Sequence, residues 1–173
     1  MGSVAACEIP EGALLAAYRG AGGHADAYAT QVDDTIALEA YVRAFYTTWL
    51  FKLERAILTL ASHPSSDAEA ARLAAGALDR FAAWTVEGRR ESEILLRDVT
   101  GRTRSWLKVE PMDDGAGTRL YFGSAVVPRA RPGDERPTLR LPFALLLDFH
   151  RAYSVALLHA ARARLVRVRP TPA

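Results

Sequence analysis

The feature that most constrains this chain is a change of period near residue 81. Before it, apolar residues recur at three- and four-residue steps; after it they alternate, in stretches covering 81–89, 91–99, 103–110 and 118–127. Alternation sends successive side chains to opposite faces of a strand, so each stretch predicts a strand with one face toward a core. Thr100 and Gly101 mark one tight turn, and Asp113, Asp114, Gly115, Ala116 and Gly117 make the next loop. A parallel pair needs a crossover of about a dozen residues, so these short connections predict an antiparallel meander.

The flanking segments supply what covers that sheet. Residues 24–32 alternate small with larger side chains (Asp26, Tyr28, Thr30, Val32) and predict a first strand. Asp33 and Asp34 are the expected cap of a long helix over 38–60, on which Leu38, Tyr41, Val42, Phe45, Trp49, Leu53, Ile57 and Leu60 form one stripe. His63, Pro64, Ser65 and Ser66 stop it. An Ala-rich helix over 67–78 follows, capped by Ser66 or Asp67. Residues 128–142 hold four prolines and six charged residues, which is loop chemistry, and the length of the segment suits a lid. A last helix runs from 142 to about 166, with Phe143, Leu146, Leu147, His150, Leu157, Leu158, Ala161 and Leu165 on its apolar stripe. The predicted class is α+β: a curved antiparallel sheet of about five or more strands packed on a long C-terminal helix, with two helices between the first and second strands. A single domain over 24–166 is expected, preceded by a weakly ordered segment 1–23 and followed by a tail 167–173.

Composition narrows the class of partner. With 50% hydrophobic and 24% charged residues the chain is of ordinary globular make-up, which excludes a disordered one. Cys7 is the only cysteine, so an intramolecular disulfide and a Cys-rich zinc site are excluded, and a reducing, cytoplasmic setting is expected. No basic segment precedes an apolar one near residue 1, so no secretory signal is expected. Apolar runs such as 143–147 are far below the roughly 20 residues of a membrane span. Net charge is +2, with the basic excess in the second half, and nearly all of the basic residues are Arg. Aromatic and basic residues are not interleaved as in a nucleic-acid-binding motif, so no nucleic-acid partner is expected.

The segments HADAYATQVDDT, ILLRDVTGRTRSWLKVEP and FHRAYSVALLHAARARL carry a resemblance. With the element order above, the chain resembles the helix-grip superfamily, also called START-like or SRPBCC, and within it a bacterial family of unknown function sometimes fused behind short-chain reductase-like domains. The resemblance covers about residues 24–166 and rests on packing residues. It implies a cavity for an apolar or aromatic small molecule between sheet and last helix, with activities ranging from carrier to cyclase or dehydratase. It implies no catalytic residue that maps onto a position here, and no cofactor.

Among individual residues His150 stands out: an imidazole on an apolar stripe can act as general acid or base or hold a ligand's polar group, although a hydrogen bond to a backbone carbonyl would also account for it. His159, nine residues on, lies about 900° around the helix on its opposite side, so the two cannot share a metal and no metal site is expected. Trp84, Trp106, Phe122, Phe143, His150 and Tyr153 are the expected ligand-lining set, and core packing is the competing account of the aromatics. Glu91, Glu93, Leu95 and Arg97 share one strand face, as do Arg104, Trp106, Lys108 and Glu110 on the next; both rows are expected on a solvated outer face, with Ile94, Leu96, Leu107 and Val109 in the core. Gly20, Gly22 and Ala25 match a dinucleotide pattern with no βαβ unit behind it, and Ser124 lacks nucleophile-elbow spacing. The function expected is binding of a largely apolar molecule, with accessory cyclisation or dehydration as its enzymatic form; the alternative is a non-catalytic module that homodimerises through apolar helix faces.

Overall fold

The computed structural model describes residues 3–20, 24–60, 64–113, 115–127 and 142–167, the side chains of residues 54, 56–60 and 142–149 excepted. Seven strands form one antiparallel sheet: β1 (Ala5–Cys7), β2 (His24–Val32), β3 (Arg80–Phe81), β4 (Trp84–Arg90), β5 (Glu93–Asp98), β6 (Thr103–Pro111) and β7 (Thr118–Val126). Their order is β1-β2-β7-β6-β5-β4-β3. The meander runs as its alternation and short turns require, and β2 closes onto β7 through nine consecutive pairs from His24↔Val126 to Val32↔Thr118. A bulge between Val86 and Gly88 shifts the register of β4 on β5, so the residues beyond it change face. A short 3₁₀ helix (Leu14–Tyr18) joins β1 to β2. Three helices, α1 (Leu38–Tyr46), α2 (Trp49–Leu60) and α3 (Asp67–Ala74), lie between β2 and β3, and α4 (Pro142–Arg167) follows the sheet. The expected lid falls outside the described residues over 128–141. No helix among the described residues is long and apolar enough to cross a membrane.

Three local expectations are corrected. The helix expected over 38–60 breaks at Thr47 and Thr48. Thr47 Oγ1 donates to the Arg43 carbonyl at 2.7 Å. Thr48 Oγ1 donates to the Phe45 carbonyl at 2.9 Å and accepts from Phe51 N–H at 3.1 Å, which caps α2. Both hydroxyls satisfy backbone groups that a continuous helix would pair with itself, so the chain turns there. Asp33 and Asp34 do not cap α1, whose N-cap is Ala37 without a side-chain bond. Instead Thr118 Oγ1 donates to the Asp34 carbonyl and accepts from Ile36 N–H, tying the segment before α1 to β7. Finally, α3 ends at Ala74 rather than near 78. Gly76 takes φ +74°, Gly76 N–H donates to Leu73 and Ala77 N–H donates to Arg72, the Schellman arrangement that terminates a helix. The start of α3 is as expected: Ser66 and Glu69 form a reciprocal capping box.

The face of the sheet toward the helices carries the larger core. Ile94, Leu96, Leu107 and Val109 point there as alternation requires, and meet Tyr41, Val42, Phe45 and Tyr46 of α1 together with Leu157, Leu158 and Ala161 of α4. The last helix therefore shares with α1 the cover expected of it alone. Aromatic contacts knit the cluster: Phe45 lies 4.7 Å from Phe122, Tyr46 4.8 Å from Phe51, and Tyr46 5.4 Å from Phe81, between ring centroids. Each such pair contributes about 0.5–1.5 kcal/mol beyond the area it buries. Tyr41 is buried with its hydroxyl donating to the Tyr121 carbonyl at 3.0 Å, which is what permits a phenol there.

On the opposite face Glu91 and Arg97 are exposed as expected, but the middle of the two charged rows is covered, which corrects the expectation there. Glu93, Leu95, Arg104 and Trp106 are 3%, 3%, 7% and 0% exposed, because the segment containing Ile9, Ala13 and Leu15 packs over them as a second core. Glu93 is the fixing point. Its Oε2 accepts from Trp106 Nε1 at 2.7 Å and from Leu14 N–H at 2.9 Å, while Oε1 accepts from Arg90 at 2.8 Å. Arg90 also reaches the Gly12 carbonyl. Farther along, Tyr18 bonds Glu87, and the Arg104 guanidinium lies 4.7 Å above the Tyr18 ring while pairing with Glu87 at 2.9 Å. Gly123 makes the close approach possible: a Cβ there would lie 2.5 Å from Leu15 Cδ2 and 2.9 Å from both the Asp26 carbonyl and the Trp106 ring.

Candidate functional site

Where α2 departs from the direction of α1, the helix cover opens and a cavity of about 630 Å³ remains over the inner face of the sheet. Phe45, Leu50 and Phe51 from the bend form one wall, Trp84 the second, Phe122 the floor, and Tyr153 and Leu157 of α4 the third. Leu53 stands at its edge, 57% exposed, and Trp49, four residues earlier on the same helix face, is 72% exposed. The helix stripe read from the sequence is thus divided by the bend into a buried part and an open part.

Of the expected lining residues, Trp84, Phe122, His150 and Tyr153 are brought together here. Trp106 is not: it stands on the other face of the sheet, sealed in the second core against Tyr121. Periodicity assigns Trp106 to a row but does not say which row faces the helices, and here both rows are covered. Phe143 lies in the first turn of α4, and its side chain is outside the described residues. His63 is outside them as well.

Most polar groups bordering the void are already engaged. Asp98 accepts from Arg102 and Thr103 N–H and from the Thr100 hydroxyl, closing the β5–β6 turn. Burial pushes its carboxyl upward, but these hydrogen bonds together outweigh it and hold the group below the usual carboxylate range. Ser105 shares a bond with the Tyr46 hydroxyl at 3.3 Å, and Ser154 donates to the His150 carbonyl at 2.8 Å.

His150 is held differently. Its Nε2 lies 2.6 Å from Ser124 Oγ, and Ser124 Oγ donates to Asp26 Oδ1 at 2.7 Å. Asp26 and Ser124 are direct cross-strand partners on β2 and β7, so the sheet itself sets this pair. Tyr28 donates to Asp26 Oδ2 at 3.3 Å, and His24 Nε2 lies 3.4 Å from the same oxygen. The Tyr28 phenol is pushed up to about 12 by burial, reinforced by the charge and hydrogen bond of Asp26. Burial lowers the His150 pKa below its ordinary value; the Asp26 charge opposes that and His24 adds to it. At neutral pH the ring is therefore uncharged.

The serine is the central member of this relay, which separates it from a hydrolytic triad, where the histidine stands between acid and nucleophile. A hydroxyl has one proton, and the carboxylate takes it. The imidazole is therefore not placed to take the Ser124 proton, as it does when it activates a serine nucleophile. Spacing alone gives Ser124 no nucleophile signature, and Asp26 reads only as part of the alternation of β2. The legible signal was an Asp and a Ser on inward rows that also carry Tyr28, Val32, Leu120 and Phe122 of the core.

Among the described residues no group of three or more His, Cys, Asp or Glu is arranged to hold a metal ion, and Cys7 lies away from the cavity at the sheet edge. Comparison of the chain with protein-family models, with curated proteins and with solved structures gave no match.

Proposed function

We propose that this chain binds a largely apolar small molecule in the space between its inner sheet face and α4, in a helix-grip-like arrangement. The observation that carries the proposal is the cavity itself: about 630 Å³, walled by aromatic and aliphatic side chains, with an imidazole at one side. Ligand sites commonly have about 300–1,000 Å³ and few polar groups against a mainly apolar lining. In enzymatic form the site would serve cyclisation or dehydration of such a molecule, with His150 moving a proton. The cytoplasmic placement stands on Cys7 alone and belongs to the same proposal.

The test is native mass spectrometry of the protein from its own host, paired with titration of an apolar fluorophore, 8-anilinonaphthalene-1-sulfonate. Leu50→Trp, which enlarges a half-buried side chain where the cavity wall meets the core, is expected to weaken the fluorophore at least tenfold while the protein still melts cooperatively. Equal binding by both proteins would show that the probe sits elsewhere.

The exposed Trp49 and Leu53 favour a second reading, self-association through α2. Light scattering of the wild type and of Trp49→Ser decides it: a monomer at about 100 µM removes that reading, since a stable dimer interface of ~1,000 Å² or more would persist there.

A further inference from the structure

The relay behind His150 says more than that the site has a polar group; it says which hydrogen-bonding role that group can take. Ser124 is 2% exposed, so no bulk water competes for its hydroxyl. Its two neighbours at hydrogen-bond distance are Asp26 Oδ1 at 2.7 Å and His150 Nε2 at 2.6 Å. A carboxylate can only accept, so the hydroxyl proton points to Asp26 and the serine lone pair is left toward the imidazole. An unprotonated Nε2 would then face a lone pair at 2.6 Å, which is repulsive; a protonated Nε2 makes a good bond. The ring is neutral, as burial requires, so its single proton is on Nε2 and Nδ1 carries the free pair. Among the described residues Nδ1 has no hydrogen-bond partner, and it is not one of the unpartnered atoms sealed from solvent. His150 is one of the residues that border the cavity.

We infer that Asp26 and Ser124 lock His150 in its Nε2–H tautomer, so that Nδ1 presents an acceptor to the cavity, and that the molecule it selects carries a hydroxyl, phenol or enol donor on an apolar frame. This rests on the cavity being a ligand site. A ketone or ether of the same shape finds no donor from this ring. In a reaction, the same Nδ1 would take a proton from the ligand as a base; it has none to give. His150 is the contacting residue, while Asp26 and Ser124 act through it as positioning residues.

Two measurements test this and separate its failure from that of the cavity proposal. Nitrogen-15 NMR of the ligand-free wild type at pH 7.5 is expected to show a pyrrole-type Nε2 and a pyridine-type Nδ1 for His150, with Ser124→Ala shifting the ring toward a mixture. A major Nδ1–H form in the wild type overturns the lock. Titration with 2-naphthol and 2-methoxynaphthalene, equal frames with and without a donor, is expected to favour the naphthol about 2- to 10-fold, the range of one neutral hydrogen bond. His150→Phe should bring the two affinities together. Equal binding of both probes by the wild type overturns donor selection and leaves the cavity standing. Failure of both probes to bind overturns the ligand site on which donor selection rests, whatever the tautomer.

Discussion

Both faces of the sheet are covered, but the polar groups beneath the two covers are used in opposite ways. On the outer face Glu93, Trp106, Arg104 and Glu87 pair with one another and with the segment that crosses them, and the interior is sealed. On the inner face the core is equally tight under α1, then gives way to a void where Ser124, donating to Asp26, has His150 as its other partner. Buried polarity by itself does not distinguish a structural clip from a site. The difference lies in whether the chain of hydrogen bonds ends on the protein or faces open space.

The sharpest way to break this contrast is Glu93→Ala. It strands the Trp106 and Leu14 N–H groups, while the half-exposed Arg90 regains water, so urea unfolding should show a loss of about 2–5 kcal/mol. Hydrogen exchange should rise first over residues 9–18. A loss below ~1 kcal/mol would mean that the clip is ornamental, because even one stranded buried donor costs about that much. Gly123→Ala tests the same face sterically. The added methyl meets the Asp26 carbonyl and the Trp106 ring at 2.9 Å, and about 1–3 kcal/mol should be lost to overpacking, read from the denaturation midpoint. Comparable stability of this variant and the wild type would show that the segment above can slide aside.

A matched pair of substitutions sharpens the comparison. Trp106→Phe removes the donor that Glu93 accepts, whereas Trp84→Phe removes an indole N–H that has no partner among the described residues although it is buried. The first should cost about 1–3 kcal/mol and the second less than about 1, since deleting an unsatisfied donor offsets part of the lost packing. Equal costs in parallel melts would erase the distinction between the faces.

The smallest effect concerns pH. His150 has a lowered pKa when folded, so as pH falls through the unfolded value of about 6.5 the unfolded chain takes up the proton first. Stability is therefore full above that value and declines below it until the folded group also protonates. His150→Gln should flatten the dependence of the melting temperature between about pH 7 and 5 relative to the wild type. Parallel curves for the two proteins would place the imidazole in water rather than against the sheet.

Local rules carried the strands. The stretch expected over 103–110 is β6 (Thr103–Pro111), and 24–32 is β2, because alternation and turn residues are properties of a few neighbours. The Ser66 cap of α3 was legible for the same reason. Three things were not. β1 is three residues long and the 3₁₀ helix five, too short to show a period, yet the 3₁₀ helix and the residues just before it bury the middle of the rows that alternation alone would leave in solvent. The break at Thr47 and Thr48 depends on two hydroxyls turning back onto the backbone, while the apolar spacing runs through it unbroken. Asp26 and Ser124 are 98 residues apart, and only the pairing of β2 with β7 sets them side by side.

The two threonines at the bend have a consequence for how such a chain can change. An unbroken helix over 38–60 would be a rod of about 34 Å, and its direction would fix what lies over the sheet's far end. With the corner in place, Leu50 and Leu53 of α2 and His150 and Tyr153 of α4 border the opening without belonging to the fully buried core, whereas Phe45, Phe51 and Leu157 serve both. Substitutions at the first four positions can therefore alter which molecules fit at little cost to the scaffold, so selectivity and foldability rest largely on different residues.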